Sequence, residues 1–454
     1  MEVVQSYISE INEISRIPNN QKNQIIARLA AVLNLNPSQN PYIAQINSVP
    51  FQIEDKTLDK LIETANLFNG EWLAFNELIA SFVKLCNQMN PWSSLESFDL
   101  YTTFINDLSI SFNNNARGFF LIEVVKNSIQ VILPLANHLD YQLYFKEHCE
   151  MPRLTYLASI LLKIFNNIRS QINDANNPKR NIILFISNKL CSVYFKINSP
   201  LLCRNVFSNM NNANVSFKSF NKLEQLQYRY YLSKFCLIKQ ELTSAFENFN
   251  WCLENLPITA INNINKVLKY HLPLSLVIGK RINFNYINQV YSHARIQPPE
   301  FITIYYQLNQ FIKLGDLKSF NQIILNSYQY FKSENLLLLL LTKSKVIILR
   351  NLIKKIWINT GKPSFLDYDC ILAGLKLSLD TNPLTLPLIT SLSDLTESDL
   401  IIENIFITLI DQNLIRGKIF PRLRKISVSK INVFVNVDEM NLTRFPPNVD
   451  NWMN

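Results

Sequence analysis

Glycine is the first thing this chain has little of, with 7 among 454 residues. Parallel α/β enzymes use glycine in their turns and phosphate loops, so the scarcity argues for helices. The patterns GxxxxGK(S/T), GxGxxG and GxSxG do not occur. There are 4 histidines, His138, His148, His271 and His293, scattered with no HxxxH and no nearby carboxylate pair. Zinc ligation and histidine acid–base chemistry both need a converging set, so each histidine reads as a core or surface residue. The 7 cysteines (Cys86, Cys149, Cys191, Cys203, Cys236, Cys252 and Cys370) form no CxxC and no even framework. Most lie in apolar helical contexts and read as buried free thiols of a reducing compartment. No catalytic set, metal site or cofactor is expected, and the chain reads as a non-enzyme.

Membrane signals are missing as well. The N-terminus MEVVQSYISEINEI reads as an amphipathic helix with acids and not as a signal peptide. The longest apolar run, 336–341, meets Lys343 and Lys345 too soon to cross a bilayer, so no membrane insertion is expected. The nucleus or the cytosol is the expected location.

Apolar residues make up 48% of the chain, enough for two or three domains with a large core. The net charge of +9 is unevenly placed: residues 1–150 carry 9 Lys/Arg against 16 Asp/Glu, and residues 151–454 carry 35 against 19. An acidic N-terminal third joined to a basic remainder points to different partners at the two ends. Two stretches hold no acid at all, 335–366 with six Lys/Arg and 412–437 with six more. Both also carry an apolar pattern, so they are folded basic surfaces facing a polyanion.

Three- and four-residue apolar spacing predicts helices over 24–35, 58–68, 71–89, 97–112, 123–143, 153–172 and 181–195. This run of helix pairs is the signature of an α-solenoid. One pair, at 223–257, fits the tetratricopeptide pattern, with Leu232 and Ser233 as its large and small residues and Ala245, Phe249 and Pro257 at the A-x3-F…P spacing. A long helix is predicted over 334–358, stopped near Thr360-Gly361 with Pro363 beyond. A short helix follows Asp367, then a loop insertion over 380–395. A further helix over 397–412 has Asp394 or Thr396 as its cap, and a basic strand pair over 415–428 comes next. Helix, helix, helix, hairpin is the winged-helix order. The acid pair Asp367 and Asp369 lies at a helix start and reads as capping and dipole compensation.

On the long helix, Lys343, Arg350 and Lys354 fall at i, i+7 and i+11 on one exposed stripe, flanked by Lys355. The hairpin region adds Arg416, Lys418, Arg422, Arg424, Lys425 and Lys430. Such cations neutralise phosphates and give salt-dependent binding with little sequence preference. No array of exposed aromatics accompanies them, since Phe420 reads as a core anchor, so backbone contact with RNA or DNA is expected and base readout is not. A solvated basic face, or a surface that docks an acidic protein, remains the alternative.

Several segments resemble one family. SNKLCSVYFKINSPLLCRNVF, at 187–207, is similar to its LVNKL-type helix ending in YF-(K/R)-I and followed by SPxLC. LRNLIKK at 349–355 is similar to its YRNL(I/F)K motif, with Leu349 in place of tyrosine. VSK at 428–430 resembles the V-x-K that follows its hairpin, and NPWSSLESFDL at 90–100 resembles fungal members. Together these resemble the PCI-domain family, in the branch serving the nuclear TREX-type transcription–export complex. The resemblance implies a mostly α fold, an α-solenoid of tetratricopeptide-like helix pairs capped by a C-terminal winged helix. It divides the chain into an N-terminal helical region (1–175), PCI helical repeats (176–335), a winged-helix subdomain (336–432) and a tail (433–454).

It also implies a non-enzymatic scaffold in transcription-coupled mRNA export at the inner face of the nuclear pore. A larger PCI-containing, GANP-like scaffold subunit would sit beside it, the two winged helices forming a platform for RNA or DNA. A small acidic disordered protein shared with the proteasome lid would be held too. Lys343, Arg350, Lys354 and Lys430 carry over by motif match, while Arg422, Arg424 and Lys425 are nominated from charge alone. The acidic partner needs a basic, aromatic-lined groove, best supplied by Lys189, Tyr194, Lys196, Tyr228, Tyr230, Tyr231 and Lys234. The alternative is a PCI subunit of a signalosome-like or splicing-linked complex acting only through protein–protein contacts.

Overall fold

The structure, a computed structural model, describes residues 2–50, 53–147, 151–171, 177–213, 215–379, 398–446 and 453. His148, Cys149, the expected loop 380–395, the candidate caps Asp394 and Thr396, and most of the chain beyond 446 lie outside the described residues. Two compact units divide the chain, Met1–Tyr231 with Asp450–Asn454, and Leu232–Val449.

The first unit holds α1 (Glu2–Ser15), α2 (Lys22–Val32), α3 (Pro41–Asn47), α4 (Asp55–Ala65), α5 (Leu73–Gln88), α6 (Ser94–Phe112), α7 (Ile122–Glu147), α8 (Pro152–Gln171), α9 (Ile183–Lys196) and α10 (Cys203–Asn211). Successive helices pack on one another, α5 on α6, α7 on α8 and α8 on α9. Each buries a stripe at helical spacing, such as Phe75, Leu78, Ile79, Phe82 and Cys86 on α5. The helix α3 is not legible as an apolar period. It is made by its start, where the Asn40 side chain accepts from the Tyr42 N–H and Pro41 takes the first turn.

One segment, Gly118–Tyr144, is long and apolar enough to cross a membrane by length and composition, which corrects the expectation that none is. Of its 18-residue apolar window 56% is buried inside the fold, as in the core helix of a folded domain. Its Asp140 is 2% exposed and accepts from the Leu154 N–H at 2.8 Å, capping α8 with the Arg153 guanidinium 3.3 Å away.

A lysine closes the C-terminal end of α6. Lys179 is 1% exposed, and its ammonium donates to the carbonyls of Phe112 (2.6 Å) and Asn114 (2.8 Å) and to the Gln171 side chain (2.8 Å). Phe112 is the last residue of α6, so its carbonyl is one of those a helix leaves unpaired at its end. Burial pushes the ammonium down to about 8. Because that lies below its ordinary value, the cost of its charge is complete below pH 8 and vanishes above about 10.5.

The second unit continues α11 (Lys222–Ile238) from Leu232 onward. It adds α12 (Leu242–Asn255), α13 (Ile261–Ile278), α14 (Phe284–Ala294), α15 (Glu300–Leu314), α16 (Leu317–Asn326) and α17 (Tyr328–Ser333). Leu232, Ser233, Ala245 and Phe249 are all buried, as the repeat pattern requires. Then come α18 (Leu337–Asn359), β1 (Phe365–Asp367), α19 (Tyr368–Leu379), α20 (Ser398–Asp411), β2 (Gly417–Phe420), β3 (Lys425–Val428) and α21 (Val437–Arg444). The three strands form an antiparallel sheet in the order β1-β3-β2. Three helices and this sheet make a winged helix closing a helical-repeat array.

The sheet's inner face is Leu366, Ile426 and Val428, each less than a tenth exposed, and Ile402, Phe406 and Leu409 of α20 are buried as well. Two glycines permit close approaches. A Cβ on Gly315 would stand 2.7 Å from the Leu352 backbone of α18, and one on Gly417 would stand 2.5 Å from the Ser427 carbonyl. Gly315 also ends α15 at φ 73°, a left-handed position that favours glycine.

Replacing Lys179 by methionine should lower the unfolding free energy by about 2 kcal/mol, since buried carbonyls lose their donor. In denaturant titrations the wild type should gain stability over Lys179→Met as pH rises from 8 towards 10.

Candidate nucleic-acid interface

The stripe expected on α18 is only partly a surface. Lys354 and Lys355 are exposed and Lys343 is half-buried, in the wall of a cavity of about 400 Å³ that Asp411 and Arg444 also line. Arg350 is 6% exposed, and its Nη2 donates to the Val435 carbonyl at 2.6 Å while its Nη1 reaches Asn351 Oδ1 at 3.2 Å. Arg350 is therefore corrected from a phosphate contact to a core residue. The helix row that carries it turns inward because the segment after β3 returns across α18, bringing Val435 and Phe434 onto the guanidinium. Burial holds its guanidinium below the ordinary value.

The hairpin sorts its cations into two groups. Arg424 grips Asp399 with two bonds, Nε to Oδ2 and Nη2 to Oδ1, both 2.9 Å, and reaches Asp369 Oδ1 at 3.1 Å. Asp399 and Asp369 lie in the first turns of α20 and α19, where carboxylates favour the helix dipole. The Tyr368 N–H also donates to the Arg424 carbonyl at 3.1 Å. Hydrogen bonding to Asp399 and the charges of Asp369 and Asp399 hold the guanidinium above its ordinary value. Lys425 pairs with Asp367 at 3.5 Å. The expectation that all six cations of the hairpin region are freely offered is corrected for these two, because carboxylates of the same module already face them. Asp367 and Asp369 do more than compensate a helix dipole.

Lys354, Lys355, Arg416, Lys418, Arg422 and Lys430 are exposed, with no carboxylate partner among the described residues. Pairing register fixes the position of Lys418 among them. Phe365, Ser427 and Lys418 lie opposite one another, as do Asp367, Lys425 and Phe420, so all six share the sheet's outer face. Phe365 is 49% exposed and Phe420 40%. Phe420 is thus no core anchor. Ile419 takes the inward position opposite Ile426, and strand alternation turns Phe420 out.

In the first unit, the expected aromatic groove is partly core. Tyr194 is 6% exposed and Tyr228 1%, with Tyr228 edge-on to Phe207 at 5.4 Å. Both are corrected from groove to packing residues. Tyr231 stacks on Phe195 at 5.8 Å and meets Tyr230 edge-on at 5.4 Å. Lys189 and Lys196 follow one another on α9, and burial lowers both, with the Lys196 charge adding to the shift at Lys189. Lys234 belongs to the second unit, its ammonium 5.3 Å from the Tyr270 ring centre.

No group of three or more His, Cys, Asp or Glu that could hold a metal ion occurs among the described residues. His271 is stacked on Phe246 at 4.8 Å, and burial pushes its imidazole down to about 4, so it is a neutral core residue. The residues that sequence reasoning missed are Phe365, in a strand it took for a helix start, and Asp399 as the counter-charge to Arg424. Only strand parity could have indicated Phe365. A 25-residue separation hides the Asp399 pair.

No family model matches the chain. It is 28% identical over 445 residues to the nuclear mRNA export protein THP1 of Saccharomyces cerevisiae, covering 91% of this chain and 95% of that one. A PCI domain-containing protein of Schizosaccharomyces pombe is 22% identical over 399 residues, 85% of each chain. PCI domain-containing protein 2 of Xenopus laevis is 23% identical over 367 residues, 79% of this chain and 84% of that one.

Arg424→Ala should free the hairpin from α19 and α20 while the helical core stays folded. Amide exchange should quicken at residues 417–428, with little change in the global unfolding midpoint.

Proposed function

We propose that this chain, which has the PCI-type fold and is similar over most of its length to PCI-domain proteins and to THP1, is a nuclear, non-enzymatic scaffold subunit in mRNA export. The similarity to THP1 across 91% of the chain carries this reading. Its module for nucleic acid is the winged helix, through Lys354, Lys355, Arg416, Lys418, Arg422 and Lys430, whose charges no carboxylate of the described chain takes up. Unpaired exposed cations contact phosphates and release counterions, so binding is salt-dependent and tolerant of sequence. Lys343 lies deeper and contributes field more than contact. Arg424 and Lys425 hold the module together instead.

A larger PCI-containing partner completes the platform. Leu423, 66% exposed at the wing tip, gives the module apolar surface that such a partner could share. A small acidic disordered protein is held in the first unit along α9, where Lys189 and Lys196 supply charge and Tyr230 and Tyr231 supply aromatic surface.

The decisive measurement is binding of a short RNA and a DNA duplex across a salt series, for the chain with its co-purified partners. Lys418→Glu/Arg422→Glu/Lys430→Glu should weaken binding about tenfold or more and flatten the salt slope by about 2 to 3, while assembly persists. Equal binding by this variant would make the cluster a protein-docking surface or an idle solvated face. Lys189→Glu/Lys196→Glu should leave the fold intact and reduce the acidic partner that co-purifies.

A further inference from the structure

The outer face of the winged-helix sheet combines chemistry that phosphate binding alone does not need. We propose that this face is a stacking platform for the unpaired bases of a single-stranded nucleic acid, built from Phe365 and Phe420 with Lys418 beside them. The proposal rests on the nucleic-acid reading of the module and adds the ligand's class to it.

Three observations carry it. The first is register. Phe365 and Phe420 occupy opposite corners of the outer face, two strands and two residues apart, which is about 12 Å from strand spacing and rise. Bases stacked in a duplex rise about 3.4 Å per step and present only their edges. Rings this far apart are matched by bases splayed out of a single strand.

The second is charge. Lys418 lies in the same row as Phe365 and two residues from Phe420. Arg416, Arg422 and Lys430, at the ends of the two hairpin strands, are also exposed and unpaired among the described residues. The one acid on the face, Asp367, is taken up by Lys425 at 3.5 Å. An apolar face meant for a neutral protein surface does not need this cationic rim, whereas a strand whose bases stack and whose phosphates run alongside does.

The third is the wing itself. Residues 421–424 alone join β2 to β3, and Arg424 is tied back to α19 and α20. Pro421, Arg422 and Leu423 are the exposed tip outside that tether, too little to follow a duplex groove. The sheet face is the larger offering.

The test is fluorescence anisotropy with a 12-nucleotide RNA, the same sequence as single-stranded DNA, and a 12-base-pair DNA duplex. Wild type, Phe365→Ala/Phe420→Ala and Phe365→Trp/Phe420→Trp would be compared as full chains with their co-purified partners. The alanine pair should lose at least tenfold in affinity for single strands and less than twofold for the duplex. The tryptophan pair should restore single-strand binding, and its emission should be quenched by the bound strand. RNA and DNA single strands binding alike would assign the contact to base faces, and an RNA preference would add the 2′-hydroxyl to it. Undiminished single-strand binding by the alanine pair overturns the platform while leaving the phosphate reading standing. Loss of a co-purifying protein without loss of RNA overturns it too, and makes the face a protein contact. No binding of any nucleic acid by wild type removes the underlying reading instead.

Discussion

Burial of α18 on several sides is the constraint from which the second unit takes its form. Leu340, Leu341, Ile347, Ile348, Leu352 and Ile353 are all less than a tenth exposed. They require cover from α13, α15, α19 and α20, which all pack on this helix. Gly315 exists to let the end of α15 reach the Leu352 backbone. Arg350 is drawn inward by the same demand, since a helix packed from several directions has little circumference left for solvent. What remains outside is Leu338 and Thr342 near its start and a short C-terminal stretch bearing Lys354 and Lys355.

Charge in this protein divides by whether a partner is built in. Asp140 with Arg153, Lys179 with its three acceptors, and Arg424 with Asp399 and Asp369 are settled within their own units. Their value to the protein is placement, because burial or geometry holds them to one arrangement. The cations Lys418 on β2, Arg422 at the wing tip and Lys430 beyond β3 have no such assignment among the described residues. Net charge alone would count all of them equally, and only the coordinates separate structural charge from charge offered outward.

Much of the helical architecture is legible in the sequence because helices announce themselves by local period. The predicted 123–143, 153–172 and 397–412 become Ile122–Glu147, Pro152–Gln171 and Ser398–Asp411. The stop at Gly361 is real, with φ 83° and the Lys362 N–H returning to the Trp357 carbonyl. Helices α13 to α17 are not individually predicted, and two further elements escape for want of a local signal. The helix α3 is seven residues long, and β1 is three residues paired to a strand 60 positions away. The site residues fared likewise: cations could be listed, but Arg350, Tyr194 and Tyr228 are buried by neighbours distant in sequence. The outward turn of Phe420 follows from a pairing parity that composition does not record.

Arg424 occupies a left-handed backbone position, φ 51°, where glycine is the least strained residue. The turn therefore accepts strain for the sake of a side chain that reaches two helices at once. This fixes the length of the wing. One residue added between Pro421 and Arg424 would carry the guanidinium about 3.3 Å along the chain, beyond the reach of both carboxylates. A longer, groove-reading wing and a tethered wing are alternatives that this sequence cannot combine, and it has taken the tether.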